Sequence, residues 1–143
     1  MNNRKETELD SLAILGIRQH ATASFPDECC GILFGYKGHA GELRISDAVP
    51  LENKVDEGKT DRYFKVDPMS VWRLERAGLK RGLEVVGIYH SHPGAPAELS
   101  LEDEDRMIPG QIYAVISISN GKCRDIRLWK KNDFENKPAE VFY

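Results

Sequence analysis

Two histidines separated by one residue, His90 and His92, follow an apolar run and precede a proline. The run from Glu84 to Ser91 has the composition of a buried β-strand, in which residues i and i+2 point to the same side. Both imidazoles therefore project together at the C-terminal end of this strand and can bind one metal ion. Asp103, on the element that follows, could supply a third ligand.

These three side chains have the chemistry of a catalytic zinc site, which takes three protein ligands and leaves the fourth tetrahedral position to water. Two neutral imidazoles and one carboxylate leave the bound ion with net positive charge. That charge lowers the pKa of the water from ~15.7 toward about 7, so that hydroxide forms near neutral pH. A structural zinc site would want four ligands, and the sequence contains no CxxC or HxxxH pattern. The residues therefore favour a catalytic site.

Together with the residues downstream, this pattern resembles the JAMM (MPN-plus) metallopeptidase signature. The signature has the form H-x-H-P followed by S-x-x-D, and here residues 90–93 read HSHP and residues 100–103 read SLED. Ser100 and Asp103 lie 8 and 11 residues after His92 (100 − 92 and 103 − 92), which is the spacing of the family. The family also has a glutamate at the start of its first strand, and Glu28 matches that position.

The resemblance covers almost the whole chain and implies a fold, a cofactor and residue roles. The implied fold is α/β: one JAMM domain over residues 1–143, similar in architecture to the cytidine deaminases, with a mixed β-sheet packed between helices and the metal site at the edge of the sheet. One Zn²⁺ per chain is expected on His90, His92 and Asp103. Glu28 is expected to accept the water proton and donate it to the leaving amine, and Ser100 to hydrogen-bond the oxyanion.

The resemblance also implies a substrate class. Family members cleave after the C-terminal Gly-Gly of ubiquitin or ubiquitin-like proteins. Short prokaryotic members are linked to sulfur-carrier proteins, from which they remove cysteine or a C-terminal extension. This chain lacks the long insertions with which eukaryotic deubiquitinases position a ubiquitin chain. We therefore predict a zinc metallopeptidase or isopeptidase whose partner is a ubiquitin-like sulfur-carrier protein.

Alternatives from other functional classes stay open. The chain could instead be a deconjugase of ubiquitin-like protein conjugates, or a non-catalytic MPN-type scaffold that binds no metal. A zinc nucleobase or nucleoside deaminase would share the architecture. Its His-x-Glu and Pro-Cys-x-x-Cys patterns do not occur here, so that class is disfavoured.

The composition fits an ordinary globular domain, with 143 residues of which 41% are hydrophobic and 30% charged. The net charge of −3 argues against a partner bound through nucleic-acid phosphates. No apolar run approaches the ~20 residues of a membrane span. An odd number of cysteines, Cys29, Cys30 and Cys123, predicts free thiols in a reducing cytoplasm. The oligomeric state stays open, with a homodimer as one option.

The rest of the sequence predicts the elements that must position these residues. The expected order is a helix over 6–24, a hairpin of strands over 29–36 and 42–49, a helix over 67–81, the histidine strand, a short helix from Ser100, a hairpin over 111–119 and 122–130, and an edge strand ending at Tyr143. Leu12 is placed on the apolar face of the first helix. Asn120-Gly121 is a strong two-residue turn, and Leu128 and Trp129 are read as packing residues.

Two polar segments near the expected site have competing interpretations. Ser100-x-x-Asp103 is also close to a helix capping box, but Asp is short for the reach that Glu or Gln makes at that position, which favours the ligand. The loop over 51–64 falls where it could edge a substrate groove. Asn53, Arg62 and Tyr63 are its candidate contacts for an incoming peptide.

Overall fold

The computed structural model describes residues 6–56, 58–60, 64–132 and 137–143. Over these residues the chain forms, in order, β1 (Thr7–Leu9), α1 (Ser11–Ser24), β2 (Cys30–Lys37), β3 (Leu43–Leu51), α2 (Pro68–Lys80), β4 (Glu84–Pro93), α3 (Leu101–Arg106), β5 (Ile112–Ser119), β6 (Lys122–Lys131) and β7 (Pro138–Val141). In this part of the chain, none of the helices has the length and apolar character needed to cross a membrane.

The strands of the described residues form one sheet in the order β1-β3-β2-β4-β5-β6-β7. The β1–β3 and β4–β5 pairs are parallel, and the other neighbouring pairs are antiparallel. The sheet is therefore mixed, as predicted. The histidine strand β4 is central, so the candidate ligands His90 and His92 lie at the C-terminal end of a middle strand. The expectation of a site at the sheet's edge was wrong in this respect.

Helices cover both faces of the sheet, which confirms the predicted architecture. On one face, Ala13, Ile17 and Ala21 of α1 are buried in a core with residues of β3 to β6. On the other face, Val71 and Leu74 of α2 pack against a second cluster that includes Phe34 and Phe64. Asp67 caps α2 by accepting the Met69 N–H at 3.2 Å, with Pro68 as the first helical residue.

The first helix is shorter than predicted because its first turn is a strand. Residues 7–9 pair in parallel with β3, and the burial of Thr7 and Leu9 on either side of exposed Glu8 has the period of two that a strand requires. Leu12, placed on the apolar face from its spacing, is 79% exposed. Strand pairing at the edge of the sheet therefore overrides a pattern that helical periodicity also fits.

Turn chemistry sets the hairpin that closes the other side of the sheet. Asn120 and Gly121 have φ values of 52° and 73° and connect β5 directly to β6. Both values lie in the left-handed region that a two-residue turn between antiparallel strands requires. The predicted terminal edge strand is present as β7, but it ends at Val141.

Candidate metal centre

β4 brings the two histidines together. His90 and His92 lie two positions apart on the strand, so both rings project from the same face. Their Nε2 atoms are 3.1 Å apart. His90 is fully buried and its ring stacks on Phe64 with a centroid separation of 4.8 Å. The predicted convergence of the two imidazoles is therefore confirmed, and their binding of a metal stays a prediction.

Asp103 completes a triangle of donor atoms. It lies in the first turn of α3, and its Oδ2 is 3.2 Å from Nε2 of His90 and 3.2 Å from Nε2 of His92. Tetrahedral zinc with ligand bonds of about 2.0–2.1 Å has donor atoms about 3.3 Å apart. The three separations in this site, 3.1, 3.2 and 3.2 Å, fit that edge length. Two nitrogens and one carboxylate oxygen are also ligand types that zinc takes.

The capping box and the metal-ligand geometry coexist at Asp103. Its Oδ2 accepts the Ser100 N–H at 2.9 Å, and the Asp103 N–H donates to Ser100 Oγ at 3.1 Å. The argument that Asp is too short for this reach was wrong, because the N-cap geometry brings the Ser100 amide to the carboxylate. The same oxygen faces both histidines, so the cap orients the carboxylate toward them.

Burial and hydrogen bonding set the protonation of this trio. Burial lowers the pKa of His90, which keeps its imidazole neutral. Burial opposes the charged form of His92 as well, but hydrogen bonds to Asp103 and to the Pro96 carbonyl raise its pKa. Burial alone would raise the pKa of the Asp103 carboxyl, yet hydrogen bonds from both histidines hold that pKa well below its usual range. Asp103 is therefore a carboxylate, the form that a metal ligand needs.

A backbone carbonyl determines the tautomer of His92. Its Nδ1 lies 3.1 Å from Pro96 O, and a carbonyl can only accept, so Nδ1 carries the proton. The lone pair of neutral His92 is then on Nε2, which points into the donor triangle. Metal-binding histidines commonly have such a second partner. Within the described residues, Nδ1 of His90 is buried without a hydrogen-bond partner.

Glu28 lies immediately before β2, beside the donor triangle. The Cys29 N–H donates to Ser91 Oγ at 2.8 Å, and the Ser91 N–H donates to Cys29 O at 3.0 Å, so the backbone after Glu28 is tied to the residue between the two histidines. A carboxylate oxygen of Glu28 lies within 4.8 Å of the ligand nitrogens of His90 and His92. The side chain is 5% exposed, and burial raises its pKa to about 7. A carboxyl group with that pKa can both accept and donate a proton near neutrality.

Ser100 is exposed at the rim of the site. Its hydroxyl oxygen accepts the Asp103 N–H, and within the part of the chain that the structure describes its own O–H has no acceptor. That proton is therefore available to an oxygen atom of a bound substrate.

A cleft of about 860 Å³ is lined by neighbours of the trio, although none of the three candidate ligands is among the described residues that line it. Phe64, which stacks on His90, lines it together with Ile88, Arg106 and Tyr113. Residues 55, 56, 59 and 64 of the loop between β3 and α2 form part of its wall, and the role of this loop in binding a substrate stays a prediction.

The loop residues singled out as peptide contacts have a different outcome. Asn53 is engaged within the protein: its Nδ2 donates to Glu28 O at 3.1 Å, and its Oδ1 accepts the N–H groups of Val55 and Lys65. It holds the loop against the backbone of Glu28 instead of presenting a free amide to a ligand. Arg62 and Tyr63 lie outside the described residues.

The cysteines are free thiols, as predicted, and none is placed as a nucleophile. Cys29 and Cys30 are buried, and Cys123 is half-buried. Burial raises the pKa of Cys29 to about 11 and that of Cys30 to about 12. Thiols with such pKa values contain almost no thiolate near pH 7, which is the reactive form.

Three parts of this site escaped sequence reasoning. They are the Phe64 ring under His90, the Ser91 hydroxyl that ties β4 to Cys29, and the Pro96 carbonyl that orients His92. A backbone carbonyl has no residue-type signal. Ser91 occupies the variable position of the H-x-H pattern, where its alternation on the strand could have indicated that it faces Cys29.

Comparison with known proteins places the chain in a family. Residues 13–131 match the family described as prokaryotic homologs of the JAB domain. The chain is 30% identical over 101 residues to a desampylase of Haloferax volcanii, covering 70% of this chain and 69% of that protein. It is 31% identical over 99 residues to the 26S proteasome regulatory subunit RPN11 of Encephalitozoon cuniculi, covering 67% of this chain but 32% of the subunit. The chain thus spans about a third of the length of that relative.

A solved structure shares the fold of this chain. The solution structure of a protein from Desulfitobacterium hafniense superposes with a TM-score of 0.78 at 25% identity, covering 94% of this chain and 88% of that one. Because the family match extends over residues 13–131, the chain belongs to the prokaryotic JAB family, and it is a hydrolase of the JAMM type, as the signature over residues 90–103 predicts.

Proposed function

We propose that this chain is a zinc-dependent metallopeptidase or isopeptidase that hydrolyses the bond after the C-terminal Gly-Gly of a ubiquitin-like sulfur-carrier protein. The leaving group would be cysteine or a C-terminal extension. The observation that carries the hydrolytic part is the placement of Glu28, a buried carboxyl group within 4.8 Å of the imidazole nitrogens of His90 and His92. Similarity to relatives named desampylase and RPN11 supports a ubiquitin-like substrate.

The roles of the residues follow from their positions. His90, His92 and Asp103 would hold one Zn²⁺, whose chemistry here is to polarise the scissile carbonyl and to lower the pKa of water. Glu28 accepts the proton of the attacking water at its carboxylate and returns it to the nitrogen of the leaving amine. One water is consumed, the C–N bond breaks, and a carboxylate and an amine are released.

Ser100 is suited to the oxygen that becomes negatively charged during the attack. Its hydroxyl oxygen is already occupied by the Asp103 N–H at 3.1 Å, which leaves the hydroxyl proton to donate. A donor aimed at a developing oxyanion commonly contributes about 10²–10³ in kcat. The free O–H of Ser100 at the rim of the site supports this role.

The cleft beside the trio supports a peptide substrate. Its volume of about 860 Å³ is enough for several residues of an extended chain, and its wall combines apolar side chains such as Phe64 and Ile88 with the charge of Arg106. A Gly-Gly end has no side chains and can approach the buried ligands closely. We expect the enzyme to act in the cytoplasm, where its free cysteines stay reduced.

The test is a mass-spectrometric cleavage assay with zinc-loaded protein and Glu28→Gln as the matched control. The substrates are sulfur-carrier proteins that carry cysteine or a short peptide after Gly-Gly. We expect a single product that ends in Gly-Gly, and its loss in Glu28→Gln. Glu28→Gln retains the shape of the buried side chain but cannot accept the proton. Equal cleavage by both proteins would refute Glu28 as the base.

A second candidate function is removal of ubiquitin-like proteins from conjugates, which the relative named desampylase favours. The same assay includes a substrate in which Gly-Gly is joined to a lysine side chain. Cleavage of this isopeptide, with the cysteine-bearing carrier left intact, would favour the deconjugase and contradict the sulfur-carrier proposal. Protein that binds no zinc and cleaves neither substrate would support a non-catalytic scaffold.

A further inference from the structure

Two side chains of β6, Trp129 and Lys131, reach across to the segment that follows the histidine strand. They lie two positions apart and so share one face of the sheet, while Leu128 points into the core beneath α1. Nε1 of Trp129 donates to Ala97 O at 3.1 Å, and Nζ of Lys131 donates to Glu104 O at 3.0 Å. Ala97 follows Pro96, whose carbonyl contacts His92, and Glu104 follows the candidate ligand Asp103.

The bond from Trp129 acts on the loop that holds His92. Ala97 O belongs to the peptide unit after the one that contains Pro96 O, the acceptor of the His92 Nδ1–H at 3.1 Å. Consecutive peptide planes share one Cα, so fixing the second carbonyl restricts the orientation of the first. Ala97 is itself buried, at 2% exposure. Trp129 thereby limits the directions in which the His92 ring is held.

The bond from Lys131 acts on α3, which carries Asp103. A helix of six residues is too short to be stable alone, so outside contacts determine its orientation. Lys131 donates to the carbonyl of the residue next to Asp103, and the Tyr113 hydroxyl donates to Arg106 O at 2.8 Å. Lys131 is 9% exposed, and no carboxylate among the described residues forms an ion pair with it. Its contribution is therefore the bond to the helix backbone, where a cation is also favoured by the helix dipole.

We propose that Trp129 and Lys131 are positioning residues for the metal ligands His92 and Asp103, and that they act through the carbonyl groups of Ala97 and Glu104. The proposal goes beyond the assignment of ligands and base, and it rests on the proposed zinc site. It predicts that removing either donor changes the affinity for zinc, although neither side chain touches the donor atoms.

The chain supplies matched controls for both changes. Trp129→Phe removes the indole N–H and keeps an aromatic ring, and Trp72→Phe makes the same change at an exposed position on α2. Lys131→Met removes the buried donor, and Lys130→Met makes the same change at the exposed neighbour. Lys131→Arg restores a donor and serves as the rescue variant.

The measurements are the dissociation constant for zinc, by competition with a chelator of known affinity, and the thermal unfolding of the chelator-treated protein. We expect Trp129→Phe and Lys131→Met to weaken zinc binding about 10-fold to 100-fold, the range seen for partners behind metal ligands. The two control variants should stay within about twofold of the wild type, and Lys131→Arg should recover most of the loss. For variants that stay folded, exchange of the His92 Nδ1–H proton with solvent, followed by NMR on the zinc-loaded protein, should be faster in Trp129→Phe than in Trp72→Phe.

The possible results separate this proposal from the proposed function. If wild-type protein binds zinc and the variants bind it equally well, with only a lower unfolding temperature, Trp129 and Lys131 are merely structural and the positioning proposal is overturned. If wild-type protein binds no zinc, the proposed metal site fails and this inference fails with it. If Trp129→Phe does not fold, the zinc affinities of Lys131→Met and Lys131→Arg provide the test. Equal affinities in these two variants and in the wild type would overturn the positioning proposal.

Discussion

Asp103→Asn should separate the capping role of one carboxylate oxygen from its proposed role as a zinc ligand. Oδ2 of Asp103 accepts the Ser100 N–H at 2.9 Å and faces both imidazole nitrogens at 3.2 Å. An asparagine amide oxygen can still accept the Ser100 N–H, so the capping contribution of about 1 kcal/mol should largely remain. The amide is neutral and a poor zinc ligand, so affinity for zinc should decline by about 100-fold or more.

The size of the expected effect follows from the linkage between zinc binding and unfolding. With free zinc buffered at about 100 times the wild-type dissociation constant, zinc adds about 2.7 kcal/mol to the free energy of unfolding. A variant with about 100-fold weaker binding retains about 0.4 kcal/mol under the same conditions. For a domain of this size, these values correspond to rises in the unfolding temperature of roughly 5–10 °C and about 1 °C.

The assay is thermal unfolding followed by circular dichroism, with chelator and with buffered zinc, at a pH where both imidazoles are neutral. Ser100→Ala is the control that weakens the helix cap and keeps the Asp103 carboxylate. It removes the Oγ acceptor of the Asp103 N–H and should lower the unfolding temperature of the metal-free protein by about 2–4 °C, as expected for a cap worth about 1 kcal/mol. Its rise with zinc should remain.

Either of two results would refute this reasoning. A full zinc-dependent rise in Asp103→Asn would show that Asp103 is not a ligand and that its carboxylate serves the cap alone. A metal-free unfolding temperature in Asp103→Asn as low as that of Ser100→Ala would show that the amide does not keep the cap. In that case a loss of zinc binding could not be assigned to the missing ligand.

Two further predictions concern stability. Glu28→Gln should stabilise the metal-free protein at pH 8 and have little effect at pH 4, because burial raises the pKa of Glu28 from 4.5 to about 7. Between these pH values the folded state binds more protons than the unfolded state, so the wild-type free energy of unfolding declines as pH rises, by at most about 3 kcal/mol. Urea unfolding of both proteins at pH 4 and pH 8 measures the difference. A stabilisation by Glu28→Gln that is the same at both pH values would contradict this prediction. Gly87→Ala should cost about 1–3 kcal/mol or more in the same assay, because an added Cβ would lie 1.9 Å from Ile112 O of the neighbouring strand. Gly16→Ala, where the nearest atom of another element is 3.8 Å away, should instead stabilise α1 by about 0.5–1 kcal/mol. A Gly87→Ala variant more stable than Gly16→Ala would contradict the close packing of β4 against β5.

The histidine pair was predictable because its geometry is local. Residues two apart on any β-strand share a face, and the composition of residues 84–91 indicates a strand without reference to the rest of the chain. Glu28 is different, since its type and position suggest an exposed loop carboxylate. Only the resemblance of the chain to a family pointed to it, and its burial comes from bonds between β4, the Asn53 loop and the backbone at residues 28–29.

Errors in the sequence reading arose where two interpretations shared one pattern. Residues 7–9 fit a helix by spacing, but pairing with β3 made them a strand. The Ser100–Asp103 spacing fits both a capping box and a metal ligand, and only the distances show that one oxygen meets both geometries. Sequence spacing records which residues are near one another along the chain, and it does not record which of two partners a side chain reaches.

The sequence by itself determined the elements other than β1, the turn at Asn120-Gly121 and the convergence of His90 with His92, because strand period and turn chemistry depend on neighbouring residues. The tertiary structure decided which groups contact the histidines and the segments beside them. The Phe64 ring, Trp129 and Lys131 come from loops and strands distant in sequence, and the Pro96 carbonyl, although close in sequence to His92, is placed by the path of its loop. Their contacts depend on the order of strands in the sheet and on the path of each loop, which long-range packing sets and no local pattern encodes.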